Sequence, residues 1–122
     1  MYSVLIQLLA KLNANVNLKA LVTLITPFGT SNVNEAFYKA VKLQSDGIKG
    51  QFRFEFTAIC TSYPNAVKAI EEAEKSLLTL GDNTFSDSVL TIERNGGASM
   101  QNAETQTFHE TAYFIISYKE RM

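Results

Sequence analysis

The sequence predicts an α+β domain: a mostly antiparallel sheet with an N-terminal helix and a second helix packed across it. Three observations predict it. Phe52, Phe54, Phe56, Ala58 and Cys60 share one parity while Arg53, Glu55, Thr57 and Thr61 take the other, the two-residue period of a strand with one buried face; only Ile59 is out of place. Ala66, Ile70, Ala73, Leu77 and Leu80 then recur at alternating spacings of four and three, the apolar stripe of an amphipathic helix. Asp46-Gly47 and Asn95-Gly96-Gly97 supply turn chemistry on either side of that unit. With 122 residues the chain holds one domain, 1–122, since a domain usually takes roughly 100–200 residues.

The expected element order is αβββαββ. In Met1 to Leu12, residues Leu5, Leu8, Leu9 and Leu12 lie on one face of a helix, with Tyr2 and Val4 widening the stripe. This apolar start has no basic n-region, is interrupted by Lys11 and shows no small-residue cleavage pattern before Asn13-Ala14-Asn15, so the expectation is a soluble, unprocessed chain. It also falls well short of the roughly 20 apolar residues of a membrane span. Leu18 to Ile25 reads as a strand rich in β-branched residues and apolar on both parities, hence an interior strand, ended by Pro27 and Gly29. Phe37 to Leu43 reads as a second strand, with a helix from Asn34 to Lys42 as the competing reading.

The turn at Gln44–Gly50 leads into the Phe strand, Gln51 to Thr61. Pro64 then opens the central helix, because a proline in the first turn sacrifices an N–H that has no acceptor there. Ser62 or Tyr63 is the N-cap, serine being chemically the better suited. Glu71 and Lys75 on the polar face stand in the favourable i,i+4 order, and Gly81 stops the helix. Val89 to Arg94 and Thr107 to Lys119 are the closing strands, the second with Phe108, Ala112, Phe114, Ile116 and Tyr118 on one parity. Between them Gly97 to Glu104, polar apart from Met100 and small alanines, reads as a long hairpin loop.

Composition narrows the function classes. Eleven basic and twelve acidic residues leave a net charge of -1, which gives no long-range attraction for nucleic acid or an anionic membrane. The single cysteine excludes an internal disulfide, and its parity with the Phe run makes Cys60 a buried thiol of a reduced, intracellular protein. His109, the only histidine, falls on the polar parity with Thr107 and Thr111. With no HExxH or CxxC spacing in the chain, no metal or catalytic site is assigned to it. Gly96-Gly97 precedes a strand and not a helix, so it is a turn and not a phosphate loop. No cofactor is expected.

Glu110 is the exception to the pattern, since its parity places it among Phe108, Ala112 and Phe114. Either a bulge or a position at the sheet rim accounts for it, or it is a carboxylate with a raised pKa fit for acid catalysis. Arg53 and Glu55 on the outer face of the Phe strand are a solvated pair or part of a subunit contact. Phe85, between Gly81 and Ser88, is a cover for the helix end or an exposed anchor.

Phe52-Arg53-Phe54-Glu55-Phe56 leading through Pro64 into Ala66–Leu80, followed by Thr107-Phe108-His109-Glu110 leading into Tyr113–Tyr118, resembles the tail terminator, or tail completion, proteins of long-tailed bacteriophages and phage-derived particles. The resemblance is one of layout over nearly the whole chain, because that divergent family has no catalytic signature. It implies a non-enzymatic protein that forms a homo-oligomeric, usually hexameric, ring. Such a ring caps the tail tube protein, halts its polymerisation and faces the head–tail connector; in sheathed tails it also docks the last sheath ring. The implied localisation is the host cytoplasm during assembly and then the virion tail. Candidate contact residues are Phe85 in one segment, Gly97, Ser99, Met100, Gln101 and Asn102 in the other, and Arg53 and Glu55 on the sheet. Two alternatives remain open: a different tail or neck component, and a small-molecule-binding or enzymatic dimer with a pocket lined by Phe54, Phe56, Phe114 and Glu110.

Overall fold

A computed structural model describes residues 1–27, 33–78 and 89–119. The elements are α1 (Tyr2–Ala14), α2 (Val16–Leu21), β1 (Ile25–Thr26), β2 (Glu35–Ser45), β3 (Lys49–Cys60), α3 (Tyr63–Leu77), β4 (Val89–Asn102) and β5 (Thr107–Lys119). The five strands form one sheet in the order β1-β2-β3-β5-β4, antiparallel throughout except for β1, which runs parallel to β2. The α+β class, the N-terminal helix and the helix packed across the sheet are as the sequence predicts. Among the described residues no helix is long and apolar enough to cross a membrane.

The Phe-rich strand is the middle of the sheet. Phe52, Phe54, Phe56, Ala58 and Cys60 are all fully buried on its inner face, with Ala112, Phe114, Ile116 and Tyr118 of β5 beside them. Helix α3 covers this face with Ala66, Ala69, Ile70, Ala73 and Leu77. The alanines let the helix axis approach the sheet so that the phenylalanine rings fill the remaining space. Full burial of each ring contributes about 1.5–3 kcal/mol. Ile59, the residue out of pattern, is buried on the outer face together with Thr57, so this end of β3 is covered on both sides.

The N-terminal third departs from expectation in two places. Leu18–Ile25 is not an interior strand: Val16–Leu21 is a helix, and only Ile25–Thr26 pairs, as the short edge strand β1. The side chain of Asn15 decides this locally, since its Oδ1 accepts from the Leu18 N–H at 3.0 Å and so caps a new helix. Leu18 and Val22, four apart, are then both buried, an interval that serves a helical face as well as it serves strand alternation. In α1 the residues driven fully inward are Val4, Leu8 and Leu12, with Leu5 and Leu9 packed at the margin, while Tyr2 stays 73% exposed and does not widen the stripe.

The remaining corrections are smaller. Residues 35–45 form a strand, which removes the competing helix over Asn34–Lys42. Ser62 is the N-cap of α3, though its side chain makes no cap bond. Lys75 pairs with Glu72 at 3.0 Å, one residue later than the expected Glu71. Leu80, Gly81 and Phe85 lie outside the described residues. Gly97–Glu104 is not a loop as far as Asn102: those residues extend β4, paired with Thr107–Ala112, and the turn is confined to 103–106.

Candidate interaction surface

The β4–β5 hairpin positions five of the predicted contact residues. Its ladder shifts register between Arg94 and Gly97, a bulge at which Gly96 adopts φ +83. Gly97 then lies against the Thr111 carbonyl so closely that a Cβ has no room. The glycine pair that reads as a turn in sequence is thus a bend within a strand, and pairing resumes beyond it to Asn102.

Past the bulge the side chains alternate between faces. Ser99 and Gln101 point to the inner side, where Ser99 Oγ donates to the Glu110 carboxylate across the ladder. Glu110 is therefore half-buried within a continuous ladder, opposite Ala58 on one side and Ser99 on the other, and not at a bulge of its own strand. Met100 and Asn102 point to the outer side, Met100 55% exposed beside His109. Asn102 closes the turn, its Oδ1 accepting from the N–H groups of Glu104 at 3.1 Å and Thr105 at 3.4 Å. His109 Nε2 is 3.1 Å from Thr107 Oγ1, which in turn is 2.7 Å from Thr105 Oγ1, so the histidine is part of a hydroxyl chain that stiffens the hairpin end.

Arg53 and Glu55 belong to a separate group on the outer face of the sheet. Arg53 Nε donates to Glu55 Oε2 at 3.1 Å, and the guanidinium lies 5.7 Å from the centre of the Tyr113 ring. Thr57 and Thr111 hydroxyls, 2.8 Å apart, link the same two strands nearer the hairpin end. With the described helices on the inner face, the outer face around Arg53, Glu55 and Tyr113 is a polar and aromatic surface of strands. The structure does not bring Arg53 and Glu55 together with Ser99 or Gln101, which lie on the other side of the sheet.

Sequence reasoning missed Arg94. Its Nε donates to Gly96 O at 2.8 Å, its guanidinium pairs with the Glu74 carboxylate of α3 and it lies 5.9 Å from the Phe114 ring centre. It ties the bulge to the helix layer; strand parity with Ile92 was the available signal. Two depressions on the described surface are lined mostly by polar residues and glycine, one along Gln44–Gln51 and Ser117 and one around the bulge and Glu110. Phe54, Phe56 and Phe114 are packed core and line neither. Burial pushes the Cys60 thiol above its ordinary pKa, which keeps it protonated and unreactive. Among the described residues no three His, Cys, Asp or Glu side chains converge as metal ligands.

No family model and no curated protein matches this sequence. Its architecture has a counterpart among solved structures. A chain in the structure described as the virion of a native gene transfer agent (GTA) particle is similar to it, with a TM-score of 0.67 over 92% of this chain and 91% of that one. The likeness is one of fold. Identity is 11%, so the two chains share their order of elements and packing rather than particular surface residues.

Proposed function

We propose that this protein is a structural subunit of a phage-type tail particle, a terminator that closes as a ring on the finished tail tube. There it stops elongation by the tube protein and forms the junction toward the head–tail connector. The observation that carries the reading is the likeness of fold to a gene transfer agent virion chain along nearly the full length of both. The strand–helix–hairpin order behind the tail-terminator resemblance is present in the structure and supports the role. Two rigid surfaces are available for subunit and axial contacts, the outer sheet face with Arg53 and Glu55 and the hairpin end with Met100, Gln101 and Asn102. The dense packing of Phe54, Phe56 and Phe114 favours this structural role over a dimer that encloses a ligand between them.

The test is electron microscopy of particles assembled without the protein, together with addition of the purified protein to polymerising tube subunits. Overlong or headless tubes in the first and arrested elongation in the second are expected. Tubes of normal length that still join heads would overturn the terminator role and leave another tail or neck position to be sought.

A further inference from the structure

The sheet ends in two open edges that complement one another. On one side β1 covers only Ala36 and Phe37 of β2, so from Tyr38 onward β2 pairs with β3 alone among the described residues. On the other side, among the described residues, β4 pairs only with β5. β2 is antiparallel to β3, β3 to β5 and β5 to β4, so the two open edges run in opposite directions. A second copy placed beside the first in the same orientation meets it with its strand antiparallel.

The backbone groups match as well. The Ala36 N–H donates to the O of Leu24, the residue just before β1, which turns the amide and carbonyl of Ala36, and by alternation those of Tyr38 and Ala40, toward the open edge. Carried from β2 to β3 to β5, whose ladders are continuous over Glu35–Lys42 and its partners, the same alternation bonds Glu93 to Ile115 and turns the polar groups of Ile92 and Arg94 outward on β4. Pairing Tyr38 with Arg94 and Ala40 with Ile92 satisfies all four residues and sets Lys39 directly opposite Glu93.

Lys39 and Glu93 both lie on the outer face, both are exposed, and neither forms an ion pair within its own chain among the described residues. Glu55, the cross-strand neighbour of Lys39, is engaged by Arg53; Ile115, opposite Glu93, carries no charge. Glu93 is the one carboxylate on β4. The same register also ends where it must. Beyond Tyr38, at Phe37, the partner's β1 covers the edge, and beyond Arg94 the bulge bends β4 away. A lysine on an open edge disfavours indiscriminate pairing and accepts a strand that presents a carboxylate to it.

We infer that the β2 edge of one copy pairs with the β4 edge of the next, in the register Tyr38–Arg94, Lys39–Glu93, Ala40–Ile92, so that the sheet continues from subunit to subunit. Two different surfaces meet in this contact, the head-to-tail kind that generates a ring on closure. The inference rests on the ring-forming reading above.

The test uses two sets of full-length variants. In Lys39→Cys/Glu93→Cys the new thiols of one chain are separated by three strand spacings, about 14 Å, too far for an internal disulfide, whereas in the proposed contact they are cross-strand neighbours. Oxidation is expected to give a ladder of disulfide-linked multimers that neither single variant gives. Lys39→Glu and Glu93→Lys alone are each expected to raise the concentration needed for assembly by about tenfold or more, and the double exchange to restore it. Thermal melts establish that each variant is folded. Assembly that proceeds without cross-linking and without sensitivity to either charge reversal overturns the edge contact and leaves the ring reading standing. Wild-type protein that stays monomeric both alone and on tail tubes overturns both.

Discussion

The ring of Tyr118 lies over Gly50, its partner in the β3–β5 ladder, so that a Cβ at residue 50 would stand 2.5 Å from both Cζ and Oη of the tyrosine. Tyr118 is buried and held in turn by Phe52, ring centres 5.8 Å apart, so the ring has little freedom to move aside. Gly50→Ala is expected to destabilise the fold by about 1–3 kcal/mol, as other overpacking substitutions do. A urea midpoint lowered at unchanged m-value is the expected signature. An unchanged midpoint would mean that the ring swings out of the way.

Phe54 stacks on Tyr38 at 5.8 Å and is completely buried between the sheet's inner face and α3. Phe54→Ala is expected to cost about 3–5 kcal/mol in chemical denaturation, the transfer free energy of the ring plus the cavity it leaves. A loss under about 0.5 kcal/mol, typical of surface positions, would contradict the core assignment.

Asn15 holds the helical corner to α3. Besides capping α2, its Nδ2 donates to Glu72 O at 3.0 Å and to Ser76 Oγ at 2.9 Å. Asn15→Ala is expected to cost about 1–2 kcal/mol, since it strips both the cap and the long-range bonds. Asn15→Asp keeps the capping oxygen without the donors and should fall between the two in thermal and urea melts.

Acid stability has one local contributor at the β2–β3 turn. The Lys49 N–H at 2.6 Å and the Ile48 N–H at 2.8 Å both donate to the Asp46 carboxylate and hold it below its ordinary pKa of 3.8. A depressed folded-state pKa gives stability that is present above the unfolded value and lost as pH falls through the folded one. Wild type is therefore expected to exceed Asp46→Asn in stability at about pH 7 and to lose that advantage progressively as the pH falls below the ordinary carboxylate range. A gap that stays constant across that range would exclude this carboxylate as its source.

Periodicity alone sufficed for the sheet–helix unit. Phe52, Phe54 and Phe56 at period two, and Ala66, Ile70, Ala73 and Leu77 at helical spacing, each admit one buried face, and burial of that much aromatic surface leaves the backbone no better arrangement. The α+β class and the buried Cys60 were legible for the same reason, as was the outward position of Arg53 and Glu55, whereas the N-cap at Ser62 was legible from Pro64 just inside the helix. Leu18–Ile25 was not, because apolar residues on both parities fit a strand and a short helix equally, and the choice fell to Asn15, whose bonds to residues more than fifty positions away exist only once α3 is in place. Glycines had the same ambiguity: Gly96-Gly97 signals a reversal locally, but continued pairing with Thr107–Ala112 makes it a bulge inside a long strand. The partner of Glu110 likewise depended on hairpin register, which Ser99 reveals only after folding. The opposed open edges that place Lys39 and Glu93 on complementary sides are a property of strand order, and strand order is set by which faces pack together, not by any segment's own pattern.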